Sequence, residues 1–124
     1  MPADDAPRLP DGIVVVVKDE CATCRTVVPV LARLADAVPL TVYTQDDPAF
    51  PDGVPSVHDD DLAVSWHHDI ETVPTLLRVV DGAEVDRTFG WSQPAWREFT
   101  GIDDLGEGLP PMRPGCGSKS VDPD

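Results

Sequence analysis

Two cysteines three positions apart are the residues of this chain whose type and spacing point most clearly to chemistry. Cys21 and Cys24 enclose Ala22-Thr23 and follow the apolar run Ile13 to Val17. Residues i and i+3 share a face of a helix, so the two sulfurs can form a short disulfide with little movement of the backbone. The spacing favours a dithiol switch, and the alternatives are half of a zinc site or a pair of small core residues.

A zinc site needs further ligands, and the sequence offers no second cysteine pair of this kind. The remaining candidates are His58, His67, His68 and Cys116. Their spacing does not match the regular ligand spacing of structural zinc sites, and the adjacent His67 and His68 point to different faces of a helix. We therefore predict no metal and no other cofactor.

Composition limits the class of protein. A chain of 124 residues fits one domain, and 9 Lys and Arg against 23 Asp and Glu give a net charge of -14. Nucleic acid and anionic membranes need a positive footprint, so neither is expected as a partner. The N-terminus has neither the basic nor the apolar segment of a signal peptide, and three cysteines do not make a secreted disulfide framework. We expect a cytoplasmic, monomeric protein.

The patterning predicts three regions. Residues 1–12 form a flexible lead-in, residues 13–100 the domain, and residues 101–124 a tail rich in Gly and Pro that contains Cys116. Within the domain, Ile13 to Val17 is a continuous β-branched run, which indicates a central strand covered on both faces. A helix with a kink at Pro29 follows from Cys24 to Val38, and a second strand covers Leu40 to Thr44.

The second half of the domain begins with a long loop, residues 49–61, which we expect to lie at the surface. Asp61 is predicted to cap a short helix that ends near Asp69. Asp81-Gly82 between two apolar runs indicates a β-hairpin, and Ser92 is predicted to cap a last helix with Pro94 in its first turn. Strands that alternate with helices and end in a hairpin predict an α/β fold with a mixed sheet of about four strands and helices on both faces.

The combination of a strand, the cysteine pair, and a helix with Pro29 resembles the thioredoxin family. Val73-Pro74-Thr75-Leu76-Leu77 resembles the family's cis-proline segment, and the resemblance covers residues 12 to 100. It implies a three-layer sandwich and thiol-disulfide chemistry. The chain departs from the family at Glu20, which replaces a tryptophan, at Ala22-Thr23, which replaces Gly-Pro, and at Val15, where the family has a buried acid.

The resemblance implies a role for each cysteine. Cys21, at the exposed start of the helix, is the nucleophile, and the more buried Cys24 then attacks the mixed disulfide. We predict that the pKa of Cys21 lies below the free value of about 8.5, because the helix dipole and the free backbone N–H groups stabilise its thiolate. Lys18 and Arg25 would favour the thiolate further, and Asp19 and Glu20 would oppose it.

Three further residues are assigned to the same site. Val73 and Pro74 are predicted to pair with an extended substrate segment, and the alternative is that Pro74 begins an edge strand. Of the three tryptophans, Trp91 is the best candidate for an exposed rim of the substrate surface, although such aromatic residues usually belong to the core.

The tail contains a third cysteine. Cys116 lies between two glycines and close to Arg113 and Lys119, which would favour a thiolate. We interpret it either as an auxiliary redox thiol that exchanges with Cys21 or with a partner, or as a tolerated cysteine in a disordered tail.

The function predicted from the sequence is a thiol-disulfide oxidoreductase that reduces protein disulfides through Cys21 and Cys24. Its partners would be disulfide-containing proteins and a reductase or thiol donor. Two alternatives stay open. The first is an interaction module with a thioredoxin-like fold and incidental cysteines; the second is a glutathione-dependent, glutaredoxin-like enzyme, which would need a basic groove.

Overall fold

A five-stranded mixed sheet forms the centre of the computed structural model, which describes residues 9–59 and 62–118. The spatial order of its strands is β3-β2-β1-β5-β6. In chain order the elements are β1 (Gly12–Val17), α1 (Ala22–Thr26), α2 (Val28–Ala37), β2 (Leu40–Thr44), β3 (Val57–His58), α3 (Ala63–His67), β4 (Thr72–Val73), β5 (Thr75–Val80), β6 (Ala83–Phe89), β7 (Trp91–Ser92), α4 (Gln93–Thr100), β8 (Met112–Arg113) and β9 (Cys116–Gly117).

The apolar run at the start of the domain forms the central strand. β1 pairs in parallel with β2 and antiparallel with β5, and Ile13 to Val17 are all buried. Burial of consecutive residues requires cover on both faces of the sheet, as the continuous apolarity predicted. The α/β class, the mixed sheet and its four longer strands agree with the sequence prediction. The three-layer arrangement of the helices stays a prediction.

The predicted hairpin and last helix are both present. Asp81 and Gly82 have φ angles of 54° and 79°, as a type I′ turn requires, and they join β5 to β6. The Ser92 hydroxyl accepts a hydrogen bond from the Ala95 amide at the start of α4. These elements were predictable because neighbouring residues determine them.

The helix after Cys21 differs from the prediction. We expected one helix kinked at Pro29, whereas α1 ends at Thr26 and α2 begins at Val28, with Val27 as a non-helical link. Pro29 has no amide hydrogen for a bond to the preceding turn and is accommodated in the first turn of α2 instead.

The loop of residues 49–59 is packed more closely on the domain than its composition suggested. Phe50 and Val54 are buried, and Val57–His58 adds a short parallel strand beside β2. Asp61, the predicted cap of α3, lies outside the described residues. Asp59 performs this role in the structure, because its carboxylate accepts hydrogen bonds from the amides of Val64 and Ser65 at 3.0 and 2.9 Å.

Residues after α4 return to the domain in two steps. Residues 105–110, which we term the apolar cover, lie against Trp91, whose indole nitrogen donates to the Pro110 carbonyl at 2.7 Å. Residues 113–118, which we term the thiol cover, lie against the cysteine pair, and β9 within them pairs antiparallel with β4. The boundary at residue 100 stays a prediction, but the chain up to residue 118 packs on the domain.

Candidate functional site

The loop between β1 and α1 places Cys21 at the start of a helix. Asp46, in the turn after β2, accepts hydrogen bonds from the amides of Asp19 and Glu20 at 2.7 and 3.1 Å. Cys21 has extended backbone angles and is the N-cap of α1, where its sulfur accepts a hydrogen bond from the Cys24 amide at 3.3 Å. The sequence analysis missed Asp46, although its position in a turn rich in acidic residues was visible.

The two cysteines of the pair differ strongly in acidity. Hydrogen bonds from the Cys24 thiol, and then from the Cys116 thiol and the amides of Cys24 and Thr23, lower the pKa of Cys21 to about 5 against the opposing effect of burial. Burial, followed by the hydrogen bond to Cys21, raises the pKa of Cys24. The pKa of Cys21 thus lies below the free value, as we predicted, and a thiolate faces a neutral thiol.

The source of this shift agrees in part with the prediction. We expected the backbone N–H groups at the start of the helix to stabilise the Cys21 thiolate, and the amides of Cys24 and Thr23 do so, but the largest effect comes from the Cys24 thiol. Lys18 and Arg25 are not among the main causes. Arg25 instead forms an exposed ion pair with Asp19, with 3.3 Å between Nε and Oδ1. Formal charges of both signs lie close to the motif and offset one another. Hydrogen-bond donors therefore stabilise the Cys21 thiolate in this acidic protein.

Cys21 is buried, which corrects the expectation of an exposed nucleophile. Its relative exposure is 0%, equal to that of Cys24. The thiol cover lies over the start of α1, where the Thr23 hydroxyl donates to the Pro114 carbonyl at 2.6 Å and the Arg113 guanidinium donates to the Thr26 hydroxyl at 3.1 Å. Local sequence could not predict this burial because the covering residues are about ninety positions away.

Val73 and Pro74 lie beside the nucleophile. The Cys21 sulfur is 3.7 Å from the Val73 carbonyl oxygen, and the Val73–Pro74 peptide bond is cis. Pro74 separates β4 from β5, and β5 lies between β1 and β6, so the alternative in which Pro74 begins an edge strand is wrong. Val73 is opposite Cys116 in the β4–β9 pair, so its backbone already has a strand partner.

Trp91 does not form an exposed rim. Its relative exposure is 1%, its ring packs edge-on against Trp96 at 4.9 Å, and the apolar cover lies over it. Trp66 is instead the exposed tryptophan, at 66%. Trp91 is buried because the tail, whose Gly and Pro content gave no sign of packing, supplies the residues that cover it.

Cys116 is brought to the pair rather than left at a distance. It is half-buried and lies opposite Val73, whose carbonyl oxygen is 3.7 Å from the Cys21 sulfur. Burial, and then the interaction with the Cys21 thiol, raise the pKa of Cys116, so the expected thiolate is wrong. Arg113 does not supply the expected charge because its guanidinium is directed at Thr26, and Lys119 lies outside the described residues.

The histidines do not join the cysteines in a metal site. Across residues 9–59 and 62–118, no group of three or more His, Cys, Asp or Glu side chains is arranged to hold a metal ion. Over the same residues, no helix has the length and apolar character needed to span a membrane.

Known proteins resemble the chain in sequence and in fold. Over 70 residues it is 31% identical to Thioredoxin H-type 1 of Nicotiana tabacum, a match that covers 56% of this chain and 48% of that protein. The chain thus spans about half the length of the curated relative it matches. No family model matches it.

A solved structure shares the arrangement of elements. The crystal structure of an uncharacterized conserved protein from Geobacillus kaustophilus aligns with 86% of this chain and 76% of its own length, with a TM-score of 0.52 and 16% sequence identity. This likeness concerns the fold alone, which is α/β with a mixed central sheet and several helices. The observed fold is compatible with a thioredoxin-like fold, and the partial sequence match suggests a thioredoxin-like relationship.

Proposed function

We propose that this protein is a thioredoxin-like thiol-disulfide oxidoreductase that reduces disulfides in partner proteins, with Cys21 as the nucleophile and Cys24 as the resolving thiol. The observation that supports this most directly is the asymmetry of the pair. Cys21 accepts hydrogen bonds from both the amide and the thiol of Cys24, and its pKa is lowered to about 5, whereas the pKa of Cys24 is raised. A thiolate attacks disulfides, and a thiol held beside it is available for the second step.

The reaction proceeds in two exchanges. The Cys21 thiolate attacks one sulfur of a substrate disulfide, the substrate S–S bond breaks, and the first substrate thiol leaves after taking a proton from solvent. Cys24 then loses its proton and attacks the Cys21 sulfur, which releases the second substrate thiol and forms the Cys21–Cys24 disulfide. Two electrons pass from the pair to the substrate, and a reductase or thiol donor must return them.

The substrate segment would pair with β4. Val73 and Pro74 present backbone groups next to the Cys21 sulfur, at the place where β9 now pairs. An open groove beside this strand is bordered by Phe89 and Met112, which are 63% and 69% exposed. Exposed apolar side chains next to a strand edge suit an extended protein segment better than a small thiol. We also propose that the protein is monomeric and cytoplasmic and that it works without a cofactor.

The test is reduction of insulin disulfides with dithiothreitol as the electron donor. The wild-type protein should accelerate precipitation of the insulin B chain above the rate with dithiothreitol alone, and Cys21→Ser should fall to that background. Circular dichroism of Cys21→Ser provides the control for folding. Equal, background-level rates for both proteins would contradict the oxidoreductase.

One observation favours a second candidate, an interaction module with a thioredoxin-like fold. Cys21 is fully buried under the thiol cover, and the edge of β4 is already occupied. In such a module the thiol cover would stay closed and the cysteines would not turn over. The insulin assay separates the two functions, because only the oxidoreductase predicts a rate that depends on Cys21.

A further inference from the structure

Three thiols meet at one point of the fold, although the dithiol mechanism uses only two. Cys116 is opposite Val73 in the antiparallel pair of β4 and β9, and the Cys21 sulfur is 3.7 Å from the Val73 carbonyl oxygen. The thiols of Cys116 and Cys21 lie close enough for each to shift the pKa of the other. Cys116 and Cys24 are thus both neighbours of the Cys21 sulfur.

The thiol cover holds Cys116 in this position from both sides. Before Cys116, the Pro114 carbonyl accepts a hydrogen bond from Thr23 at 2.6 Å. After it, the Ser118 amide donates to the Glu71 carbonyl at 3.0 Å, and the Ser118 hydroxyl accepts from the Gln45 side chain at 2.6 Å. These contacts on both sides of Cys116 keep its thiol beside Cys21.

The two neighbours of Cys21 differ in access to water. Cys24 is completely buried in α1. Cys116 is half-buried, so water can take its proton directly. Resolution of a mixed disulfide needs a deprotonated thiol, and this requirement is easier to meet at Cys116.

We propose that Cys116 is a second resolving thiol, so that a mixed disulfide at Cys21 closes to either Cys21–Cys24 or Cys21–Cys116. This inference rests on the proposed oxidoreductase function. After Cys21 has bound one half of a substrate disulfide and the other half has left as a thiol, Cys116 gives its proton to water and attacks the Cys21 sulfur. The bond between Cys21 and substrate breaks, the second substrate thiol leaves with a proton, and Cys21 and Cys116 have supplied the two electrons.

Strand pairing connects this step to substrate release. A substrate segment at β4 and β9 compete for the same backbone edge, so the substrate must displace the thiol cover to reach Cys21. When β9 pairs with β4 again, it displaces the substrate segment and returns Cys116 to the sulfur under attack. Release of substrate and delivery of the resolving thiol are therefore one movement.

The test uses the full chain with Cys24→Ser, which leaves Cys21 and Cys116 as the cysteines. The reduced variant is treated with oxidised glutathione, free thiols are alkylated, and trypsin separates residues 19–25 from residues 98–119 for mass spectrometry. We expect most of the protein to contain the cross-linked pair of peptides. Cys21 linked only to glutathione would overturn the role of Cys116 and leave the nucleophile intact, whereas unmodified Cys21 would overturn both proposals.

Two glycines next to Cys116 provide a matched pair of variants in the same background. A Cβ at Gly115 would lie 2.7 Å from the Val73 carbonyl oxygen and would also meet the Thr72 methyl group, whereas a Cβ at Gly117 meets nothing within 4 Å. Gly115→Ala should lower the ratio of Cys21–Cys116 to Cys21–glutathione severalfold, and Gly117→Ala should leave it unchanged. Equal ratios in the two variants would contradict delivery of Cys116 by the strand.

Discussion

The apolar cover and the thiol cover belong to the same tail but hold to the domain by different forces. The apolar cover contributes Leu105, which is 0% exposed, to the core and seals Trp91. The thiol cover has little apolar area and is held by β9, by Arg113 at the end of β8 opposite Trp91, and by a few hydrogen bonds. Burial of large apolar groups holds the apolar cover on the domain with several kcal/mol, so this cover opens only when the core opens. The hydrogen bonds of the thiol cover contribute about 1 kcal/mol each. The first cover is therefore structural, and the second can open while the domain stays folded.

Removal of the side chain under the apolar cover should have the largest effect on stability. Trp91→Ala should lower the free energy of unfolding by about 3–5 kcal/mol, because it leaves a cavity and deprives the Pro110 carbonyl of its donor. Urea denaturation followed by circular dichroism measures this change. Trp66→Ala is the matched control, and its exposed side chain predicts a change within about 0.5 kcal/mol. Similar losses in both variants would break the distinction between the covers.

The Cys21 thiolate under the thiol cover should make stability depend on pH, chiefly through its interaction with Cys24 and in smaller part through Cys116. The pKa of the Cys21 thiol is lowered from 9.0 to about 5 in the folded protein, so its contribution is complete above pH 9 and is lost as the pH falls to about 5. In the presence of a reductant, the difference in unfolding free energy between wild type and Cys21→Ser should grow as pH rises across this window. The ultraviolet absorbance of the thiolate should show a midpoint near pH 5. A constant difference, or a midpoint at the free value, would contradict the hydrogen-bonded thiolate.

A single hydrogen bond in the thiol cover should control access to Cys21. Thr23→Val removes the donor to the Pro114 carbonyl and should make opening easier by about 1 kcal/mol, which corresponds to about fivefold faster alkylation of Cys21 by iodoacetamide. Thr100→Val removes a hydroxyl bond to the Trp96 carbonyl within α4 and serves as the control. Equal acceleration in both variants would indicate that Cys21 becomes accessible by global unfolding.

Substitution of two arginines, one at each cover, should have the smallest effect on access to Cys21. Arg113 donates to Thr26 from the thiol cover, and Arg97 donates to the Leu105 carbonyl at the apolar cover. Arg113→Ala should accelerate alkylation of Cys21 by about twofold, because a partly exposed hydrogen bond contributes about 0.5 kcal/mol. Arg97→Ala should leave the alkylation rate unchanged. The reverse order would mean that the apolar cover controls access to the thiols.

Local patterns predicted the scaffold, and distant contacts determined the closed state of the site. The run Ile13 to Val17, the turn at Asp81-Gly82 and the cap at Ser92 each depend on neighbouring residues, and all three were predictable. The burial of Cys21 and Trp91 depends on a tail whose Gly and Pro residues give the same composition whether it is disordered or packed. Short strands such as β9 have no periodicity from which they could be recognised. The lowered pKa of Cys21 was predicted in direction because its main causes, the thiol and amide of Cys24, are local, whereas the contribution of Cys116 depends on a contact that only the fold creates.

The bond between Trp91 and the Pro110 carbonyl also limits how far an opened thiol cover can move. Between Pro110 and Cys116 the chain can extend by at most about 20 Å. Confinement to a sphere of that radius gives Cys116 a local concentration on the order of tens of millimolar around Cys21. Reclosure is therefore a reaction of a tethered reactant, and a competing thiol in solution would need a comparable concentration to resolve the same mixed disulfide.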